Sequence, residues 1–304
     1  MLRLEQLVVL YAGLTGQMTA NRADTHPRRT RLARAAVWIR RLPLLPTIML
    51  AITFLVILIG PAIVPHDPLQ PNPANVLEAP SRGHWFGTNG FGMDVFSRVI
   101  AAARIDVGVA VAGVTVGAVV GSILGATVAY TGGWVDAIVQ KAIEVLQSFP
   151  LFLFALALFA ALGDNTFNLV VVISSISLPW YVRVVRSVIS PLREADWVKA
   201  LQNAGASGPR IVVLELLPNA TSQVLGLFAL STALAIQVIA ALAFIGLGVQ
   251  PPFPEWGSMI NTGAPFLLQG AWWVSTFPGV AVVLVVISLH SLSRFFDAET
   301  RGIG

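Results

Sequence analysis

The sequence predicts an all-α polytopic membrane protein with six transmembrane helices and a long polar loop between the fourth and the fifth. Three observations carry that expectation. Hydrophobic residues fill 56% of the 304 positions and charged residues 11%, with a mean hydropathy of +0.77, whereas soluble domains carry about 25% charge. Six apolar runs are each long enough for about 30 Å of hydrocarbon. Lys and Arg are unevenly shared between the two sides: 16 fall with the N-terminus and three, Arg82, Arg98 and Arg104, fall opposite. Basic residues mark the cytoplasmic side, so both termini are expected inside.

Some chemistry is excluded at once. There is no cysteine, hence no disulfide framework, thiolate metal site or cysteine nucleophile. The two lysines, Lys141 and Lys199, follow Gln140 and Val198, so the Gly-Lys of a phosphate-binding P-loop is missing. If ATP is involved, another polypeptide binds it. The four histidines, His26, His66, His84 and His290, are scattered and form neither HExxH nor a short-spaced pair, so no metal site is expected.

Residues 1–43 read as an Arg-rich cytoplasmic tail. Its run Leu7–Leu14 is too short to span and has no clear cleavage site, which favours an N-terminal extension, or a start at Met18, over a signal peptide. Seven arginines between Arg22 and Arg41 precede a span directly, which argues for an anchor rather than nucleic-acid binding. Span 1 is Leu44–Val64. Residues 65–104 begin with five prolines between Pro65 and Ser81 and read as an extracytoplasmic segment.

Span 2 is expected at 105–130, where Gly113, Gly117, Gly121 and Gly125 recur every four residues and give one face a smooth stripe for close helix packing. Span 3 covers 137–162 and opens with Asp136, Gln140, Glu144 and Gln147 on one face, either at the headgroups or lining a watery mouth. Span 4 is 168–189, with Pro179 expected to kink it. Span 5 is 221–245, a loop rich in Pro and Gly occupies 246–273, span 6 is 274–292, and 293–304 is a cytoplasmic tail. Ser174, Ser175, Ser177, Ser231, Thr232 and Gln237 are candidates for a translocation path, and they suit hydrogen bonds between helices equally well.

The loop at 190–219 reads as helix, break, helix. Ser190-Pro191 is a start signal for the first helix, Gly205 a left-handed stop, Ser207 and Pro209 a second start, and Pro218 a limit. On the first helix Trp197, Leu201 and Ala204 share one face, while Asp196 and Lys199 lie at i,i+3 on the other. The segment is either a docking surface or a plain connection.

Four separated motifs bring in a family. Phe86-Gly87-Thr88-Asn89 through Asp94-Val95-Phe96-Ser97-Arg98, Val198-Lys199-Ala200-Leu201 with Gly205-Ala206-Ser207 and Leu217-Pro218-Asn219, Phe244 to Pro252 with Pro254-Glu255-Trp256-Gly257, and Phe277-Pro278-Gly279 occur in order; Ala204, Gly208 and Pro209 fall within the second of these segments. Together the chain resembles the permease subunits of bacterial ABC importers of the dipeptide, oligopeptide and nickel type, over roughly residues 42–300. Lys199 stands where the family usually has the Glu of its EAA loop, Leu201 where it has the second Ala, and Asn89 and Met93 replace an Asp and an Arg.

The resemblance implies the type I importer fold, with a transmembrane domain over 105–297. It implies a second homologous permease and two cytoplasmic ATPases, or one fused ATPase, which bind ATP and Mg. It also implies an extracytoplasmic substrate-binding protein and a place in the bacterial plasma membrane, surrounded by lipid. The cargo it implies is a peptide, with nickel or another small solute as the alternative. A self-contained secondary transporter is disfavoured, because the central halves of the spans lack Asp, Glu, Lys and Arg.

Overall fold

The computed structural model describes residues 44–249 and 252–300. The Arg-rich tail with Met18, the last four residues and the pair Gln250-Pro251 lie outside the described residues. Among the described residues, the only extended pairing is an isolated antiparallel bridge between Thr88 and Asp94; everything else regular is helical.

Helix α1, Leu44–Ile63, is followed by a coil segment holding one 3-10 turn at Pro73–Asn75. Helix α2 runs from Val95 to Thr131, 37 residues or about 55 Å. It starts ten residues before the expected span, because Asp94 caps it by accepting a hydrogen bond from the Ser97 amide at 2.8 Å. The first turns are also held from inside: Val95, Val99, Ala102 and Ala103 are buried, although Arg98 and Arg104 depress the local hydropathy.

The stretch 137–162, expected as span 3, holds two helices. Helix α3, Gly133–Ser148, and helix α4, Leu151–Leu162, meet at 92°. Pro150 forces the break by holding Phe149 in an extended conformation (φ −79°, ψ 138°). Helix α5 is Thr166–Leu192, with Asn165 as its side-chain cap.

Ser190-Pro191 does not open a new helix; it is the last turn of α5. A proline there forfeits a single backbone bond, and the Arg193 amide still donates to the Ile189 carbonyl at 3.1 Å. The short helix α6 is Asp196–Asn203. Helix α7 is a continuous run from Gly208 to Phe244. Pro218 therefore does not limit it: a π turn at Ile211–Leu216 and a 3-10 turn at Leu217–Ala220 absorb the ring, and the run passes straight into Thr221–Phe244. The stretch expected as a loop at 246–273 contains helix α8, Trp256–Leu267, capped by Glu255. Helix α9 is Trp273–Thr300.

By length and composition, α2, α5, α7 and α9 can each cross a membrane, and α3 with α4 makes a fifth span if the bent pair counts as one. The tightest pairing is α2 along α5. A Cβ built on Gly113 would sit 2.7 Å from the Ile173 Cβ, one on Gly121 2.7 Å from the Leu178 carbonyl, and one on Gly125 2.6 Å from the Val182 carbonyl; on Gly117 it would overlap the Ser177 hydroxyl. The two backbones lie where no larger residue fits.

The main core gathers Ala110, Val114, Ile173, Tyr181, Ile236, Ile239 and Trp256 between α2, α5, α7 and α8. A second core at the far end of α2 joins Ala126, Ile189, Val198, Ile211 and Leu216. Large apolar side chains such as Val116, Val119, Ile123, Val283 and Ile287 are exposed along the outer faces of α2 and α9. Lipid-facing helices carry their apolar residues in this way.

Candidate functional site

At one end of the bundle the chain leaves α5, makes α6, turns and re-enters as α7. Burial of Val198 on Ile189 and Ile211 fixes α6 against the second core. Helical periodicity then points the rest of its circumference outward. Val198 is fully buried and Leu201 half-buried, whereas Trp197 is 41% exposed and Ala204 is also exposed. The inward face is therefore Val198–Leu201, a correction to the face expected from Trp197, Leu201 and Ala204. Lys199 lies 3.9 Å from Glu194 rather than pairing with Asp196, and Arg193 lies 3.6 Å from the same carboxylate. All three groups are largely solvated, so the cluster contributes little to stability.

The turn closes as a Schellman motif. The Gly205 amide donates to the Gln202 carbonyl and the Ala206 amide to the Leu201 carbonyl, both at 3.0 Å. Gly205 has φ +82°, which other residues adopt at a cost. No atom lies within 4 Å of where its Cβ would be, so the position is open to a partner. Ser207 turns the chain into α7 through its backbone, its carbonyl accepting from Ile211 at 3.1 Å; its side chain makes no cap.

Tyr130, near the end of α2, lies beneath this turn. Its hydroxyl accepts from Gln202 Nε2 at 3.1 Å, and its ring leaves 3.2 Å for a Cβ on Gly208. Lys199, Ala200, Ala204, Gly205, Ser207, Pro209 and Pro218 are exposed, and Leu201, Ala206, Gly208 and Leu217 are half-buried. The result is a convex ledge of small residues held rigidly from below. Beside it, Arg186 grips Asp136 through two parallel bonds of 2.6 and 2.7 Å, fastening α3 to α5.

The residues expected along a path are dispersed. The hydroxyls of Ser174 and Ser175 donate to the Val171 carbonyl, Ser177 to Ser174, and Thr232 to Phe228, while the Gln237 amide donates to Ala233. Such bonds to the own helix leave little free donor capacity. Ser177 and Ser231 meet in a small apolar pocket. Ser175 alone of the six lines a cleft of about 510 Å³ between the α3–α4 bend and α5; Glu144, Gln147, Ser148 and Arg183 supply further polar walls.

At the opposite end of α2 the coil before it is tied down over long sequence distances. The Trp256 indole donates to the Val99 carbonyl at 3.0 Å, the Trp256 amide to Asp106 at 2.9 Å, and the Trp273 indole to the Thr88 carbonyl at 3.1 Å. Glu255 is fully buried and accepts from the Gly257 and Ser258 amides; burial pushes its carboxyl above the usual range. The histidines are not all scattered: the rings of His66 and His84 lie 4.5 Å apart, with Asp94 beside them. Sequence spacing missed this group because 17 residues lie between the two histidines.

Apolar helices of this length and composition, with their outer faces apolar, are those of a multi-pass membrane protein. Residues 117–302 match the family model described as binding-protein-dependent transport system inner membrane component, and the chain belongs to that family. It is 33% identical over 252 residues to the dipeptide transport system permease protein of Alkalihalophilus pseudofirmus, covering 83% of each chain. It is 34% identical over 215 residues to the glutathione transport system permease protein of Pectobacterium atrosepticum, covering 71% of each. It is 32% identical over 243 residues to the probable D,D-dipeptide transport system permease protein of Escherichia coli, covering 80% of this chain and 81% of that one. The family is one of membrane permeases of ABC transporters rather than of enzymes.

Proposed function

We propose that this chain forms one half of the membrane path of an ATP-driven importer that takes up di- or oligopeptides delivered by an extracytoplasmic binding protein. The peptide class is supported by the names of the relatives above. A second homologous permease supplies the other half of the path. Two cytoplasmic ATPases, or one fused ATPase, bind ATP and Mg, consistent with the absence of a Gly-Lys phosphate loop here. In this reading α1 is also a span, giving six, and both termini are cytoplasmic in the plasma membrane, as the excess of Lys and Arg on that side supports.

The observation that carries the reading is the ledge from Asp196 to Arg210. It is the EAA-type coupling loop in this proposal, and an ATPase groove receives it. Its inner face is cemented to α2, α5 and α7 by Val198, Ile211 and Leu216, and α7 continues from it without a break. A push on the exposed turn therefore passes into three long helices together. The cleft walled by Glu144, Ser175 and Arg183 opens or closes as these helices move.

Because the chain has no cysteine, Ala204→Cys and Ser207→Cys each give a single thiol. The expected result is crosslinking of either variant to the co-assembled ATPase subunit. No adduct from either one, with both thiols alkylated normally by a soluble maleimide, would refute the docking surface.

A further inference from the structure

We propose that His66, His84 and Asp94 form a binding site for one divalent transition-metal ion of the zinc class, at the end of the bundle opposite the coupling ledge. The ligand atoms of the three residues all lie within 4.8 Å of one another. The Nδ1 atoms of His84 and His66 lie 2.9 and 3.9 Å from Asp94 Oδ1. Metal–ligand bonds of about 2.0–2.2 Å at a tetrahedral angle put ligand atoms about 3.3 Å apart. The pair at 2.9 Å is already near that spacing. The rest requires His66 to swing inward by about an ångström, toward the side its 41%-exposed side chain already faces beside Asp94.

The supporting groups suit a metal centre. The Asp94 side chain is 1% exposed. Its Oδ2 is occupied by the Ser97 amide at 2.8 Å and the Ser97 hydroxyl at 2.7 Å, which aims Oδ1 at the two imidazoles. The Ser97 hydroxyl also accepts from the His66 amide at 3.4 Å, so one residue positions two ligands. On the far side of His84, Nε2 lies 3.2 Å from the Asn75 side-chain amide and 3.9 Å from a Glu78 carboxylate oxygen. As placed, the Asn75 amide nitrogen donates to Nε2; with the proton moved to Nε2, the Glu78 carboxylate and, after a flip of the side-chain amide, the Asn75 oxygen accept it, and Nδ1 presents its lone pair to the ion. Without an ion the proton sits on Nδ1 and donates to Asp94; loading moves it across the ring and leaves the neutral imidazole neutral.

Two imidazoles and one carboxylate select zinc, cobalt, nickel or copper over calcium and magnesium. The group borders an open cleft of about 300 Å³ that also exposes Asp67, Gln70 and Asn72, with room for water in the remaining coordination positions. An ion here would clasp the chain just after α1, the turn at His84 and the cap of α2 to one another. This inference does not depend on the coupling ledge or on the cargo.

The test uses the purified full chain in detergent, stripped with EDTA and titrated with Zn²⁺. The expected result is one equivalent bound, with a rise in melting temperature that Mg²⁺ does not reproduce. His66→Ala, which removes an exposed side chain, is expected to weaken binding at least about tenfold while leaving the unloaded melting temperature unchanged. His84→Ala gives the second measurement, because Asp94 variants also lose the helix cap. No saturable binding, or binding equally tight in the His66→Ala and His84→Ala double variant, would overturn the site.

Discussion

Gly125→Ala introduces a methyl group where α2 crosses α5. Its Cβ would lie 2.6 Å from the Val182 carbonyl oxygen and 2.9 Å from the Val182 Cα. The first distance falls 0.8 Å short of the 3.4 Å at which ordinary contact begins, and both neighbours are backbone that cannot rotate away. The helices must separate locally, which loosens the packing of Val182, Val185 and Ala126 around the joint. Overpacking of this kind costs about 1–3 kcal/mol. Gly108 lies in the same helix with no atom within 4 Å of its Cβ position, so Gly108→Ala gains helix propensity of about 0.5–1 kcal/mol. The two substitutions are chemically identical and are expected to have opposite signs. Reversible denaturation of the purified chain in detergent, run on wild type and both variants, reads the difference. Equal effects, or a stabilising Gly125→Ala, would refute the argument that backbone proximity rather than composition explains the glycine stripe.

Other expectations follow from the same geometry. Gly205→Arg is expected to leave the complex membrane-inserted but to uncouple ATP hydrolysis from uptake; normal uptake by reconstituted vesicles would sink the assignment. Lys199→Glu faces Glu194 across exposed surface, so stability is expected to change by no more than about 0.5 kcal/mol and uptake to persist. Total loss of transport would show that Lys199 has a partner of its own. The Asp136–Arg186 pair is bidentate but partly solvated, so a double-mutant cycle with Asp136→Ala and Arg186→Ala is expected to give a coupling of about 1 kcal/mol. A coupling near zero would mean the pair does not fasten α3 to α5.

Local signals were legible in the sequence wherever a local rule decides the structure. The stop at Gly205 follows from a left-handed backbone that glycine adopts readily, and the Schellman bonds need only neighbours. The glycine period in α2 marks a face whatever the partner. Proline signals at Pro191 and Pro218 misled because tolerance of a ring depends on whether the surrounding helix can forgo one bond or widen a turn, and packing settles that. Helix α8 was hidden by Gly257, Gly263 and Pro265, and the start of α2 by Arg98 and Arg104. The face of α6 was misread because Val198, not the larger Trp197, lies over Ile189. The His66–His84–Asp94 group is a product of how the coil from 65 to 94 folds back, and no spacing rule registers that.

The two ends of α2 differ in how they are fastened. Near Val95 the chain is stitched by hydrogen bonds between residues 150 to 185 positions apart, with tryptophan indoles and buried carboxylates as the threads. Near Thr131 the side-chain link from α6 is one solvent-exposed bond from Gln202 to Tyr130, backed by aliphatic packing that is non-directional. Directional bonds between distant segments fix how the coil and α8 are oriented on α2. The ledge is located instead by the shape of a close-packed aliphatic seat. A change of side-chain volume in that seat therefore displaces the turn around Gly205 without breaking a hydrogen bond.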